Sequence, residues 1–229
     1  YCVVELVDQV LAEQSYLPSS AVLATRLTDG PVRAEIDSQA AVTTVEQVFM
    51  NHTGRRLEAQ FLFPIPKGAA ISRFTMLMNG KETSGEMFEK DKARQIYNSI
   101  VRRSMDPGLL EYLGGNIFQA NIFPIEPNSK QVITVRFAQA LVAENGLVRY
   151  HYPVRAGAKR GPTVQGEFAM EVTITNPTPI HNIYSPSHPI LLERKTEREA
   201  RVTWSEKQVT LQKDFQLYYG LTDKDLGIT

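Results

Sequence analysis

The sequence has a single cysteine and no surplus of either charge, and each shortage excludes something. Cys2 has no partner for an internal disulfide. A small disulfide-stapled scaffold is therefore ruled out, while the compartment stays open. Lysine plus arginine number 25, and aspartate plus glutamate also number 25. Nucleic-acid binders carry surplus cations to neutralise phosphates, and this chain has none to spare. No apolar run approaches the roughly 18 residues a membrane-spanning helix needs. The glycine signatures of nucleotide sites are also missing. Gly80-Lys81 invites a phosphate-loop reading, but that motif needs glycine at 75 and Ser or Thr at 82, where the chain has Thr75 and Glu82. Neither a Gly-x-Ser-x-Gly elbow nor a dinucleotide-binding fingerprint occurs.

What is present is an ordinary globular composition over 229 residues, 42% hydrophobic and 22% charged. Disorder, collagen and coiled coil do not fit it, and the length suits one large domain or two small ones. Val3, Leu6, Val7, Val10 and Leu11 recur at helical spacing, with Glu5, Asp8 and Glu13 opposite. They predict a short amphipathic helix ending near Ser15, packed on its own domain or docking a partner. The same acids interrupt the apolar stretch a signal peptide would need. Pro18, Ser19 and Ser20 then read as a linker, so residues 1–19 are assigned as helix and linker.

From about residue 20 the period is two. Leu57, Ala59, Phe61 and Phe63 alternate with Glu58 and Gln60, and Ile133, Val135 and Phe137 with Thr134 and Arg136. Val148, Tyr150, Tyr152 and Val154 follow the same rule, as do Phe168, Met170, Val172 and Ile174. Each is a strand with one face in a core and one in water. Turn signals separate them at 51–54, 64–68, Asn79-Gly80, Asn145-Gly146 and Asn176-Pro177. Ala93, Ile96, Tyr97, Ile100 and Val101 break the rule with a helical stripe. Acids in its first turn, Arg102-Arg103 in its last and Asp106-Pro107-Gly108 beyond it complete a helix over 89–103. Met87 and Phe88 fall off the stripe and are placed on an incoming strand. The expected fold is mainly β: an antiparallel sandwich-like body with one substantial helix and a further β-rich C-terminal region.

Ala156 to Pro162 is the best candidate boundary, dividing the body into 20–158 and 159–229. The last 67 or so residues have no helix to cover a sheet and are too few to fold well alone. They are expected to build onto the preceding core, with the sheet containing Phe137 and Tyr150 as second layer and with Trp204 and Phe215 largely buried.

No chemistry-bearing constellation emerges. His52, His151, His181 and His188 stand at no metal-ligand spacing, and His151 lies on the polar face of its strand. Glu86, Glu89, Asp91 and Glu111 cluster near the helix, where acid–base work is conceivable but charged helix ends explain them more simply. Arg55-Arg56, Arg102-Arg103, Lys159-Arg160 and Arg194-Lys195 are scattered surface pairs. Asn51-His52-Thr53 is a glycosylation sequon in an expected hairpin loop, relevant only to a secreted eukaryotic chain. No catalytic, cofactor-binding or metal-ligating residue is assigned, and no cofactor.

One resemblance goes further. Val45-Glu46-Gln47-Val48-Phe49-Met50-Asn51, Leu57-Glu58-Ala59 and Phe61-Leu62-Phe63-Pro64-Ile65-Pro66 resemble the VIT domain, the module named after vault proteins and inter-alpha-trypsin inhibitor heavy chains. The likeness continues through Asn79-Gly80-Lys81, Gly85-Glu86, residues 89–97, Leu109-Leu110-Glu111-Tyr112, Phe118, Phe123-Pro124-Ile125 and the strand from Val132 to Leu141, in order, over roughly 35–153. Asp106-Pro107 before Leu109 resembles bacterial members. The resemblance implies a VIT domain over 20–158 and a β-rich connecting region over 159–229. A von Willebrand A domain would follow in a longer protein. The Asp-x-Ser-x-Ser adhesion motif of such a domain does not occur in this chain, so no metal is implied here. It further implies a non-catalytic interaction or adhesion-type module, extracytoplasmic, with a protein or extracellular-matrix partner, no nucleic acid and no membrane span. An intracellular scaffold of the vault-associated branch is the alternative, and a carboxylate-dependent enzyme a distant third. VIT domains have no agreed catalytic residues, so none is carried over.

Overall fold

A computed structural model of the chain describes residues 3–7, 25–78, 81–84, 86–88, 108–114, 117–154, 164 and 166–221. Its strands are β1 (Val3–Val7), β2 (Thr25–Asp37), β3 (Ala40–Asn51), β4 (Leu57–Pro64), β5 (Ala70–Met78), β6 (Lys81–Ser84), β7 (Glu86–Phe88), β8 (Gly108–Gly114), β9 (Ile117–Ile125), β10 (Lys130–Ala140), β11 (Ala143–Glu144), β12 (Leu147–Tyr152), β13 (Glu167–Thr175), β14 (His181–Tyr184), β15 (Leu191–Thr196), β16 (Glu199–Lys207) and β17 (Phe215–Gly220). They form an eight-stranded sheet ordered β15-β16-β13-β2-β3-β10-β5-β6, a five-stranded sheet ordered β1-β4-β9-β8-β7, and a four-stranded sheet ordered β11-β12-β17-β14.

Alternation explains why the long sheet has one dry face. Register sets Val45 opposite Val135 and Thr43 opposite Phe137 on one side of β3, and opposite Val32 and Ala34 on the other. Ala34 in turn faces Val172, which faces Val202. Apolar rows thus cross from β16 to β10, and a slip of one residue would turn a strand's whole row into water. The two shorter sheets cover this face side by side. Phe63 of β4 stacks on Phe74 of β5 and on Phe118 of β9, with centroids 6.4 and 5.7 Å apart. Tyr152 of β12 stacks on Phe137 at 6.5 Å, and Phe215 of β17 on Trp204 of β16 at 6.0 Å. Phe215 is fully buried and Trp204 nearly so. Burying such a ring stabilises the fold by about 1.5–3 kcal/mol relative to leaving it in water.

Several expectations need correction. Val3–Val7 is a strand, antiparallel to β4 from Val3↔Leu62 to Val7↔Glu58, and does not begin a helix. Val-Val-Glu-Leu-Val is too short for its period to choose, and valine prefers a strand once an edge is on offer. The body is not purely antiparallel: β2 runs parallel to β13, and β7 to β8. Side-chain alternation is blind to strand direction. Phe137 and Tyr150 belong to two facing sheets and not to one. The predicted helix over 89–103, the rest of the predicted N-terminal helix and linker, the Asn79-Gly80 turn and the boundary at 156–162 lie outside the described residues.

Other expectations stand. Met87 and Phe88 are on β7. Asn145 and Gly146, at φ 53° and 80°, make the two-residue hairpin their sequence announces.

Candidate functional site

The Asn51 loop is the most heavily bonded polar site described. Asn51 closes β3 with its side chain fully buried. Its Nδ2 donates to the carbonyls of Arg55 at 2.9 Å, Ile125 at 3.2 Å and Glu126 at 3.0 Å. Its Oδ1 accepts from the Thr53 amide at 2.9 Å and the Thr53 hydroxyl at 2.7 Å. Both residues of the apparent sequon are thus spent on clamping the β3–β4 loop to the end of β9. His52 between them is exposed.

Two tyrosines tie the four-stranded sheet to the long one. The Tyr150 hydroxyl lies 2.9 Å from that of Thr43, and both residues are fully buried. Tyr219 donates to the carbonyl of Ser38 at 2.8 Å, at the β2–β3 turn where Ser38 has φ 58°. Burial pushes both phenols well above their ordinary range, against a small opposing effect of Thr43 on Tyr150. They act as neutral hydrogen-bonding groups. Replacing Tyr150 with phenylalanine strands the Thr43 hydroxyl and is expected to cost about 1–3 kcal/mol in urea unfolding. Adding Thr43→Val should restore much of that loss, because the pair is then removed together.

Beyond them, His188 packs on Trp204 with centroids 3.9 Å apart, and on Phe215 at 5.8 Å. Its Nδ1 is 2.9 Å from the Ser187 hydroxyl, which also accepts the Gln216 amide at 2.9 Å. Burial lowers its pKa below 6.5, opposed by the charge of Glu206. Folding therefore favours the neutral ring, and the unfolded chain binds the proton more readily. Stability should fall as pH drops below the ordinary histidine range and level off once the folded ring is protonated. Melting curves between pH 7.5 and 5 should show that slope, and His188→Gln should flatten it.

His151, on the outer face of β12, approaches Asp214 at 3.3 Å, and the other Asp214 oxygen accepts the Val154 amide at 2.9 Å. Arg149, Lys67 and Tyr218 border the same open cleft. Of the carboxylates considered from sequence, Glu86 pairs with Leu109 and Glu111 with Phe88 in the β7–β8 ladder, while Glu89 and Asp91 lie outside the described residues. His181 is on β14. Arg56 pairs with Glu126 at 3.0 Å, Lys195 with Glu199 at 2.9 Å, and Arg194 donates to the Ile180 carbonyl at 2.7 Å. Among the described residues no three His, Cys, Asp or Glu side chains could hold a metal together, and no helix is long and apolar enough to cross a membrane.

Sequence reading missed Asn51 as a clamp, the Thr43–Tyr150 bond and the His188–Trp204 stack. One signal was available: Thr43 and Gln47 sit in the inward phase of β3, where a polar residue needs a partner.

Comparison with known proteins places this geometry. The family described as the vault protein inter-alpha-trypsin domain matches residues 27–137. Protein mono-ADP-ribosyltransferase PARP4 of Mus musculus is 23% identical over 211 residues, 84% of this chain and 11% of that protein. The von Willebrand factor A domain-containing protein 5A of Homo sapiens is 32% identical over 100 residues, 42% of the chain and 13% of that protein. Inter-alpha-trypsin inhibitor heavy chain H4 of Homo sapiens is 28% identical over 126 residues, 54% of the chain and 13% of that protein. The matched regions thus span only about an eighth of these relatives. Among solved structures, a putative nutrient binding protein of Legionella pneumophila superposes with a TM-score of 0.55 at 12% identity, over 86% of this chain and 67% of that one, a likeness of fold alone.

Proposed function

We propose, from the premise that the chain carries a VIT domain over residues 27–137, that it is a non-catalytic protein-interaction module within a larger surface or secreted protein. The observation that carries this reading is the company the matched segment keeps. It recurs in proteins named as a mono-ADP-ribosyltransferase, a von Willebrand A domain protein and an inhibitor heavy chain, as a small part of each. Activities so different do not reside in a shared segment; recognition or scaffolding suits all three. The adhesion role, the following von Willebrand A domain and the extracytoplasmic compartment belong to this proposal. So does the division into a VIT domain at 20–158 and a connecting region at 159–229.

The alternative is an intracellular scaffold of the vault-associated branch, and coverage does not choose between the two: the transferase relative covers 84% of the chain and an inhibitor heavy chain, H6 of Homo sapiens, 77%. Two measurements decide. Alkaline phosphatase fused after Thr229 in the natural gene should be active outside the cytoplasm; activity confined to disrupted cells would favour the scaffold. A photoreactive residue at Tyr184, an exposed position, should give discrete protein adducts in the producing cell. Turnover of a small-molecule substrate by the purified chain would sink the non-catalytic reading.

A further inference from the structure

The open cleft beside His151 measures about 620 Å³. The loop after β4 contributes Lys67 to it, the chain around the end of β10 Gln139 and Val142, and the β11–β12 hairpin Glu144 and Arg149. Gln139 continues the inward row of Val135 and Phe137 and is only 8% exposed. Its side-chain amide nevertheless has no hydrogen-bond partner among the described residues. A carboxamide so placed gains from any ligand group that bonds it. Lys67 and Arg149 are exposed, and neither has an ion-pair or side-chain hydrogen-bond partner among the described residues. Two other polar groups are already committed: His151 to Asp214 at 3.3 Å, and the Tyr218 hydroxyl, which donates to Gln216 at 3.1 Å. Glu144, opposite Leu147 on the hairpin, is the one acid of the lining and pairs with neither cation. The unspent charge is thus two positive against one negative, beside a valine, Val142, that is 69% exposed.

We propose that this cleft docks an acidic segment of a partner protein, one with an apolar residue beside its carboxylates. The proposal rests on the interaction-module reading and adds the chemistry of the partner. Arg149 takes a carboxylate through two parallel N–H donors, a geometry that lysine cannot offer. The Gln139 amide donates to the same segment and so gains the hydrogen bond it lacks. Lys67 supplies the second positive charge, and the apolar residue covers Val142. Glu144 works against this arrangement, and its repulsion keeps the docking reversible. A small free anion fits less well. Both cations are exposed, so each contact is screened by salt and worth little alone. Several carboxylates and an apolar contact on one backbone add up where a single anion does not.

The test uses the full chain and two fluorescein-labelled nonapeptides, followed by anisotropy at physiological salt. One is built of glutamate, leucine and glycine in equal parts; the other has glutamine in place of each glutamate. The glutamate peptide should bind saturably and the glutamine peptide about tenfold more weakly or worse, a difference of about 1.4 kcal/mol. Arg149→Gln and Lys67→Gln should each weaken the glutamate peptide severalfold, and Glu144→Gln should tighten it. Gln139→Leu should weaken it as well, without lowering the melting temperature, since an apolar side chain suits that inward position. Arg136→Gln, an exposed position on the long sheet, should change nothing. Equal binding of both peptides, or of the glutamate peptide to all variants, overturns the proposal. Succinate that displaces the peptide at comparable concentration also overturns it, with a small carboxylate as the occupant. So does a dimer in sedimentation that Arg149→Gln dissolves, with a second copy in the cleft. If the peptides fail while adducts from position 184 persist, the cleft assignment falls and the module reading stands.

Discussion

Replacing Asn51 with aspartate is expected to lower stability by about 3–5 kcal/mol, the range for an uncompensated buried charge. The Nδ2 that now faces three carbonyl oxygens becomes a carboxylate oxygen facing the same three. An ionised carboxylate has no N–H, so no rotation of the side chain restores a donor. Thermal unfolding should shift down by roughly 6–20 °C, given 2–4 °C per kcal/mol for a chain this long. Asn51→Ala should cost about 2–3 kcal/mol, because the Ile125 carbonyl is left buried without its donor. A melting point within two degrees of the original for either variant would show that the clamp does not hold the loop. The same geometry makes a glycan at Asn51 incompatible with the native loop, since the attachment atom is the one buried among the carbonyls. Chain passed through a glycosylating secretory pathway should be unmodified in its folded fraction by intact mass, and any glycosylated fraction should be misfolded.

Cutting the chain near residue 158 is expected to abolish cooperative unfolding in both pieces. β13 lies against β2 from Phe168↔Gly30 to Thr175↔Asp37, and β17 against β12 from Phe215↔Tyr152 to Gly220↔Leu147. Residues 20–158 alone would lose one of β2's two neighbours along most of its length and one neighbour of β12. Residues 159–229 would keep Trp204, Phe168 and Phe215 but lose Tyr150, half of the facing sheet and the long sheet from β2 onward. Strands with one uncovered face do not hold together in water. Amide exchange and calorimetry on the two pieces settle it. A 159–229 fragment melting cooperatively near the temperature of the whole chain would establish two independent domains instead.

The sequence made some features plain because they depend on a local period. The strands around Phe63, Phe137, Tyr150 and Val172 follow from alternation, and the β11–β12 hairpin from Asn145-Gly146. Where two periods both fit a short stretch, as at Val3–Val7, the outcome was decided by which edge the segment could reach, and no local signal records that. Strand direction was illegible for a different reason. Alternation is the same read forwards or backwards, so nothing in the sequence marked β2 and β13 as a parallel pair. The sequon's spacing does not reveal its use, because the same Asn-x-Thr that an enzyme would recognise also suits an asparagine bonded to its own loop.

The β2–β13 ladder also bears on how the chain is made. Its rungs join residues about 140 positions apart, so β2 must wait for most of the chain before its neighbour exists. At roughly 5–20 residues per second, that is about 7 to 30 seconds of synthesis on the ribosome. During this interval a thirteen-residue strand is present with one long side unsealed. Pairings this remote also slow folding once the chain is free. Newly made protein should therefore depend on holding chaperones more than refolded protein does. Synonymous codons that slow translation between residues 40 and 165 should lower the soluble yield without altering the finished molecule.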